Sequence, residues 1–326
     1  MKANMKATIF IIPVIIILIS IPIYSQGYLT EGNNHYTNGN YKMAIDSYKK
    51  AINSNENPAL AWFNMGNAYY QEDASNKAVY CYEASVVEAP EFYRSWVNLG
   101  VLYHELKDYG ACIATLKRAM IIQNDDPMVL SVLASANNEL EQYSSAAVYM
   151  EKAFELDSTL SDACLMLYDI ARENGDYHEA LYWLSRYPGT GNRWYEVLLI
   201  SGEIMAEMGD TAGALSQFRQ CTRKAPERIQ GWIQLVSHLH NMNATFTSLI
   251  VAEEALLKDQ SFVSLALLAG HIAFEAGYYD KAEYFFTIAW RAGHPDGAVG
   301  MGNMVTVYKK YGDDIALNRI YELMNK

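Results

Sequence analysis

From about residue 28 onward the chain alternates apolar stretches of helical spacing with short polar breaks, and the alternation is periodic. A step of 34 residues superposes the stretch Ala59–Pro90 on the rest. Units then begin near Ser25, Ala59, Tyr93, Pro127, Ser161, Tyr195, Ile229, Val263 and Gly297, with no insertion or deletion between them. The twentieth position of each unit is always small: Ala44, Ala78, Cys112, Ala146, Ala180, Ala214, Ser248, Ala282 and Ala316. Such a column arises by chance with a probability on the order of 10⁻⁷.

Close approach of two helices explains the column, because backbones 8–10 Å apart leave room only for small side chains where they come nearest. The eighth position repeats the pattern with Gly32, Gly66, Gly100, Ala134, Gly202 and Gly270, and the twenty-seventh with Ala51, Ser85, Ala119, Ala153, Cys221, Ala255 and Ala289. Large residues fill the remaining space, among them Trp62, Trp96 and Trp232 at the fourth position and Tyr48, Tyr82, Leu116, Met150, Leu184, Phe218 and Phe286 at the twenty-fourth. Gly39, Asp73, Gly175, Gly209, Asn243 and Gly277 share the fifteenth position, where a helix must end and turn. Pro58, Pro90, Pro127, Pro226 and Pro295 mark the joints between units. Each unit therefore reads as two antiparallel helices joined by a tight turn.

The pattern W-x₂-M/L-G-x₂-Y…A-x₃-Y/F-x₂-A…P resembles the tetratricopeptide repeat. The resemblance runs from Ser25 to Lys326 and is best in the second, third and eighth units. The fifth departs with Tyr168 and Tyr187 in small-residue places, the seventh with Val236 and Ala252, and the ninth with Met304 and Leu323. The implied fold is all-α, a right-handed superhelical solenoid of about nine helical hairpins, and repeats account for everything after the first 25 residues. Nothing remains to build a catalytic domain, so a non-catalytic interaction scaffold is expected.

The first residues read as a targeting segment. Lys2 and Lys6 precede an apolar run from Ala7 to Tyr24, and small Ser25 allows cleavage before Gln26. A signal peptide over residues 1–25 is the expectation, and an uncleaved anchor, interrupted by Pro13 and Pro22, is the alternative. Either places the repeats outside the cytoplasm, in the periplasm or at the envelope of a bacterium. Charge narrows the partners. The net charge is −12, becoming −14 without Lys2 and Lys6, which disfavours nucleic acid and anionic surfaces.

In tetratricopeptide proteins the first helices line a concave groove that holds a partner peptide or helix. Here the resemblance places Asn33, Phe63, Asn64, Asn67, Tyr70, Arg94, Asn98 and His104 in the early groove. Asp162, Asp169, Arg172, Glu173, Glu196, Glu203 and Glu207 follow in the middle, with Leu165, Met166, Leu199 and Ile200 between the charges. Basic or mixed basic–apolar partner segments would suit that lining. The family's carboxylate clamp is matched by Asn33, Asn64 and Arg94, but Leu29 and Asn98 replace two of its cations. An accessory subunit of an envelope enzyme or export complex, for glycan processing or secretion, is the competing reading.

No cofactor or metal site is legible. The seven histidines form no ligand motif, and His35, His104 and His271 fall on groove-helix positions where a solvated residue is expected. Cys112 and Cys221 occupy core places and Cys81 sits on a less constrained face; the large separations argue for buried free thiols, with a Cys81–Cys112 pair as the alternative. Pro188-Gly-Thr-Gly-Asn192 reads as a loop or hinge, and Asn243-Ala-Thr245 is a glycan acceptor only in a eukaryotic secretory route. The last helix, apolar through Ile315, Leu317, Ile320, Leu323 and Met324, suggests homo-oligomerisation through the C-terminal end.

Overall fold

A computed structural model describes residues 27–188 and 193–325. The apolar leader and residues 189–192 of the Pro188–Asn192 loop lie outside the described residues. Among the described residues there are eighteen α-helices and no strand. They fall into two compact units divided between Arg186 and Tyr187.

Unit 1 holds five hairpins: α1 (Tyr28–Thr37) with α2 (Tyr41–Asn53), α3 (Pro58–Gln71) with α4 (Ser75–Glu88), α5 (Tyr93–Glu105) with α6 (Tyr109–Ile122), α7 (Pro127–Glu139) with α8 (Tyr143–Leu156), and α9 (Ser161–Glu173) with α10 (Tyr177–Arg186). Unit 2 holds four: α11 (Trp194–Glu207) with α12 (Thr211–Lys224), α13 (Ile229–Asn241) with α14 (Thr245–Lys258), α15 (Val263–Glu275) with α16 (Tyr279–Arg291), and α17 (Pro295–Tyr311) with α18 (Asp314–Met324). Within each unit every helix packs on the next in sequence.

The small-residue columns are the contact points. Eight of the nine residues at the twentieth position have no exposed surface, and Ala316 has 4%. Glycines of the eighth position lie directly under the large residue of the twenty-fourth in the same hairpin. A Cβ placed on Gly66 would come 2.7 Å from the Tyr82 ring, one on Gly202 2.5 Å from Phe218, and one on Gly270 2.6 Å from Phe286. The seventh repeat exchanges the sizes. Val236 and Ala252 take these two places and both are fully buried, so the pair keeps its bulk with the large member on the other helix.

The turn after each first helix requires a left-handed residue. Gly39, Gly175, Gly209 and Gly277 supply it with φ between 74° and 82°, as do Asp73 at 55° and Asn243 at 59°. Lys107 at 62° and Glu141 at 59° hold the same conformation in the third and fourth repeats, at a steric cost glycine avoids. The ninth repeat breaks register. Its first helix runs to Tyr311, and the left-handed turn falls one place late, at Gly312. Strict spacing therefore ends at the eighth repeat.

Successive first helices touch one another, α1 with α3 and α5 with α7 in unit 1, and α11, α13, α15 and α17 in series in unit 2. No pair of successive second helices makes comparable contact among the described residues. Each unit therefore curves with its first helices on the inner side.

Candidate functional site: the first-helix face

The inner face of unit 1 begins with two asparagine relays. Asn33 Oδ1 accepts from Tyr48 Oη and from Asn64 Nδ2, both at 2.9 Å. One repeat later Asn67 Oδ1 accepts from Tyr82 Oη at 2.7 Å and from Asn98 Nδ2 at 3.1 Å. The sequence cause is a shared spacing. A ninth-position Asn meets the twenty-fourth-position Tyr of its own hairpin and the sixth-position Asn of the next first helix. The relays tie consecutive repeats together while remaining almost fully covered, with Asn67 1% exposed and Asn64 and Asn98 6% each.

Phe63 is also interior, 2% exposed and packed against Tyr82 and Phe92. Leu165, Met166 and Leu199, expected between the groove charges, belong to the core as well.

Two donors on this side have no acceptor among the described residues. Asn67 Nδ2 and Arg94 Nη1 are both buried atoms without a hydrogen bond. An unsatisfied buried donor is unfavourable, so both atoms are local costs of the packing. Farther along, Tyr70 donates to Glu105 at 3.0 Å, and His104 Nε2 meets Ser135 Oγ at 2.8 Å. Tyr109 stacks edge-on with His104 and donates to Glu139 at 3.2 Å. From its groove-helix position His104 is expected to be solvated. It is 7% exposed, and desolvation holds its imidazole below the ordinary value although Glu139 opposes the shift. Desolvation likewise raises Glu105. Tyr109 of its own hairpin and Ser135 of the next repeat both cover His104, and the second is beyond local reading.

The acidic candidates are half-buried or exposed. Asp162, Asp169 and Arg172 lie half-buried on α9, where Arg172 donates to Tyr168 Oη at 3.5 Å. In unit 2 Glu196 pairs with Arg228 at 3.1 Å and Glu203 accepts from Gln234 at 2.7 Å. The wider charge distribution is lopsided. Described first helices carry eleven Asp or Glu against four cations (Arg94, Arg172, Lys309 and Lys310), whereas second helices carry twelve against fifteen. The first helices are thus net negative and the second helices net positive, because the cations gather on the second helices.

All four cysteines are buried and free, as their separations imply, and Cys81, read as lying on a less constrained face, is 1% exposed. Burial pushes the thiols of Cys81, Cys112 and Cys221 up to about 12 and that of Cys164 up to about 11. No group of three potential metal ligands occurs among the described residues. No described helix is long and apolar enough to cross a membrane.

Comparison with known proteins gives three family matches, to the TPR repeat over residues 32–73 and to the tetratricopeptide repeat over 93–126 and 196–228. BBSome complex member BBS4 of Xenopus tropicalis is 29% identical over 150 residues, 44% of this chain and 28% of that protein. TPR repeat-containing protein MJ1428 of Methanocaldococcus jannaschii is 21% identical over 269 residues, 77% of this chain and 46% of that protein. The chain thus spans less than half the length of either curated relative. Among solved structures, YrrB, titled a TPR protein with an unusual peptide-binding site, is 17% identical with a TM-score of 0.49 and coverage of 57% and 96%. Pseudomonas aeruginosa PilF is 18% identical with a TM-score of 0.47 and coverage of 66% and 96%.

Proposed function

We propose that this chain, a tetratricopeptide-repeat protein, is a non-catalytic scaffold outside the cytoplasm that holds a basic or mixed basic–apolar segment of a partner protein against its first helices. The observation that carries this reading is the charge division, with eleven carboxylates against four cations on the first helices. Opposite charge on a partner accelerates encounter and fixes register, while apolar side chains between its cations supply contact area. Export rests on the apolar leader with Lys2 and Lys6 ahead of it.

Asn67 is too deeply buried to carry a crosslinker, so exposed groups on the same helices serve better. A photoreactive residue at Glu173 in unit 1, and separately at Glu203 in unit 2, is expected to capture a partner through a Lys- or Arg-containing segment. Adducts formed equally well from the outward residue Lys117 would refute the inner-face assignment. An enzyme recovered in fixed ratio would make the chain an accessory subunit. Turnover by the purified chain, lost with one acid pair, would overturn the scaffold.

A further inference from the structure

Along unit 2 the first helices change character. Helix α11 carries Glu196, Glu203 and Glu207, α13 carries no Asp, Glu, Lys or Arg, and α15 carries Glu275 alone. Glu196 is matched by Arg228 at 3.1 Å. Glu203 and Glu207 stand exposed one turn apart, and residues 194–218 include no Lys or Arg. At the far end Glu275 and Lys309, in the last turns of α15 and α17, carry opposite signs.

The bond from Gln234 Nε2 to Glu203 Oε1 at 2.7 Å fixes the register of the row. It joins the ninth place of one first helix to the sixth of the next, as the asparagine relays do in unit 1. The equivalent places farther on hold Ser237 with Leu268 and His271 with Gly302. Leu267 and Leu268 are half-buried and His271 is exposed. A Cβ on Gly302 would meet nothing within 4 Å, so the ninth repeat leaves open space where the seventh places Gln234.

Resting on the first-helix reading above, we infer that unit 2 holds its partner segment with a fixed polarity. The segment's Lys or Arg side chains lie on Glu203 and Glu207 of α11. Its apolar side chains lie on Leu267 and Leu268 of α15 and in the open space at Gly302 of α17. A segment basic throughout would set cations over the uncharged stretch, where no carboxylate offsets their desolvation. Packed neighbouring helices lie about 8–10 Å apart, which puts α15 about 16–20 Å from α11. The cationic and apolar parts are therefore separated by about five or six residues in an extended segment, or about eleven to thirteen in a helical one.

The test places a photoreactive residue at Glu203 or at His271 of the full chain in its native cells and maps the adducts by peptide mass spectrometry. Both sites are expected to capture one partner, the first beside Lys or Arg and the second in an apolar stretch at one of those two separations. Glu207→Lys should lower the yield from the His271 site at least about threefold, and Gly302→Leu at least about twofold. Basic stretches captured from both sites, different proteins captured from the two, or an unchanged yield in either variant would overturn the polarity and leave first-helix binding in place. Equal yield from Ser216, exposed on α12, or adducts at neither site would instead remove first-helix binding, and the polarity with it.

Discussion

At the scale of single residues, the packing of Gly66 under Tyr82 shows how little slack the hairpins have. Gly66→Ala brings a methyl within 2.7 Å of the ring, so a loss of about 1–3 kcal/mol is expected in denaturant unfolding. The seventh repeat offers the complementary test. Ala252→Phe alone overfills a site with no exposed surface, whereas Ala252→Phe with Val236→Gly restores the size order of the other repeats. A coupling of about 1–3 kcal/mol between the two changes is expected, and additive losses would disprove the size-exchange account. His104 supplies a pH dependence. Its folded pKa is lowered by burial, so the unfolded chain takes up the proton first as pH falls. The stability tied to neutral His104 is intact above its ordinary value of 6.5 and declines below it. Unfolding at about pH 7.5 and about pH 5.5 should therefore show a smaller acid loss in His104→Gln than in the parent chain.

At the scale of the helix and its ends, two turns carry an avoidable cost. Lys107 and Glu141 occupy left-handed conformations that the equivalent Gly39 and Gly175 adopt freely. Lys107→Gly and Glu141→Gly are each expected to raise stability by about 0.5–1 kcal/mol, read as a higher midpoint in thermal melts. Buried Glu283 shows another device at an element's end. It accepts from Tyr308 at 2.8 Å and from Arg319 at 2.6 and 2.8 Å, fastening α18 to the helix two places earlier. The last helix thus depends on a charged clasp as well as on the apolar contacts of Ala316 and Ile320.

At the scale of the whole molecule, a repeat array is stabilised by intrinsic and nearest-neighbour terms, so damage stays local. Gly202→Ala in unit 2 is expected to speed amide exchange in α11–α14 while leaving the most protected amides of α3–α6 unchanged. Uniform loss of protection through both units would contradict that independence. The same modularity lets opposite faces differ in charge, since each helix's outward residues can vary without disturbing its neighbours.

Periodicity in the chain determined the hairpins, the period and most turns, because a helix needs its small residues and its stop signals at fixed local spacings. Ala44 and Ala78 were placed correctly from spacing alone, and both are fully buried. The late turn at Gly312 escaped because the earlier repeats set the expected register. Lys107 and Glu141 escaped because neither residue type announces a left-handed turn. The available binding surface was decided only by tertiary structure. Asn67 and Phe63 occupy positions the repeat assigns to a groove, yet Asn98 of the next first helix bonds the one and Tyr82 and Phe92 pack on the other, leaving both out of solvent. Helical phase sets the direction of a side chain; the distance to the neighbouring repeat determines whether any partner can reach it.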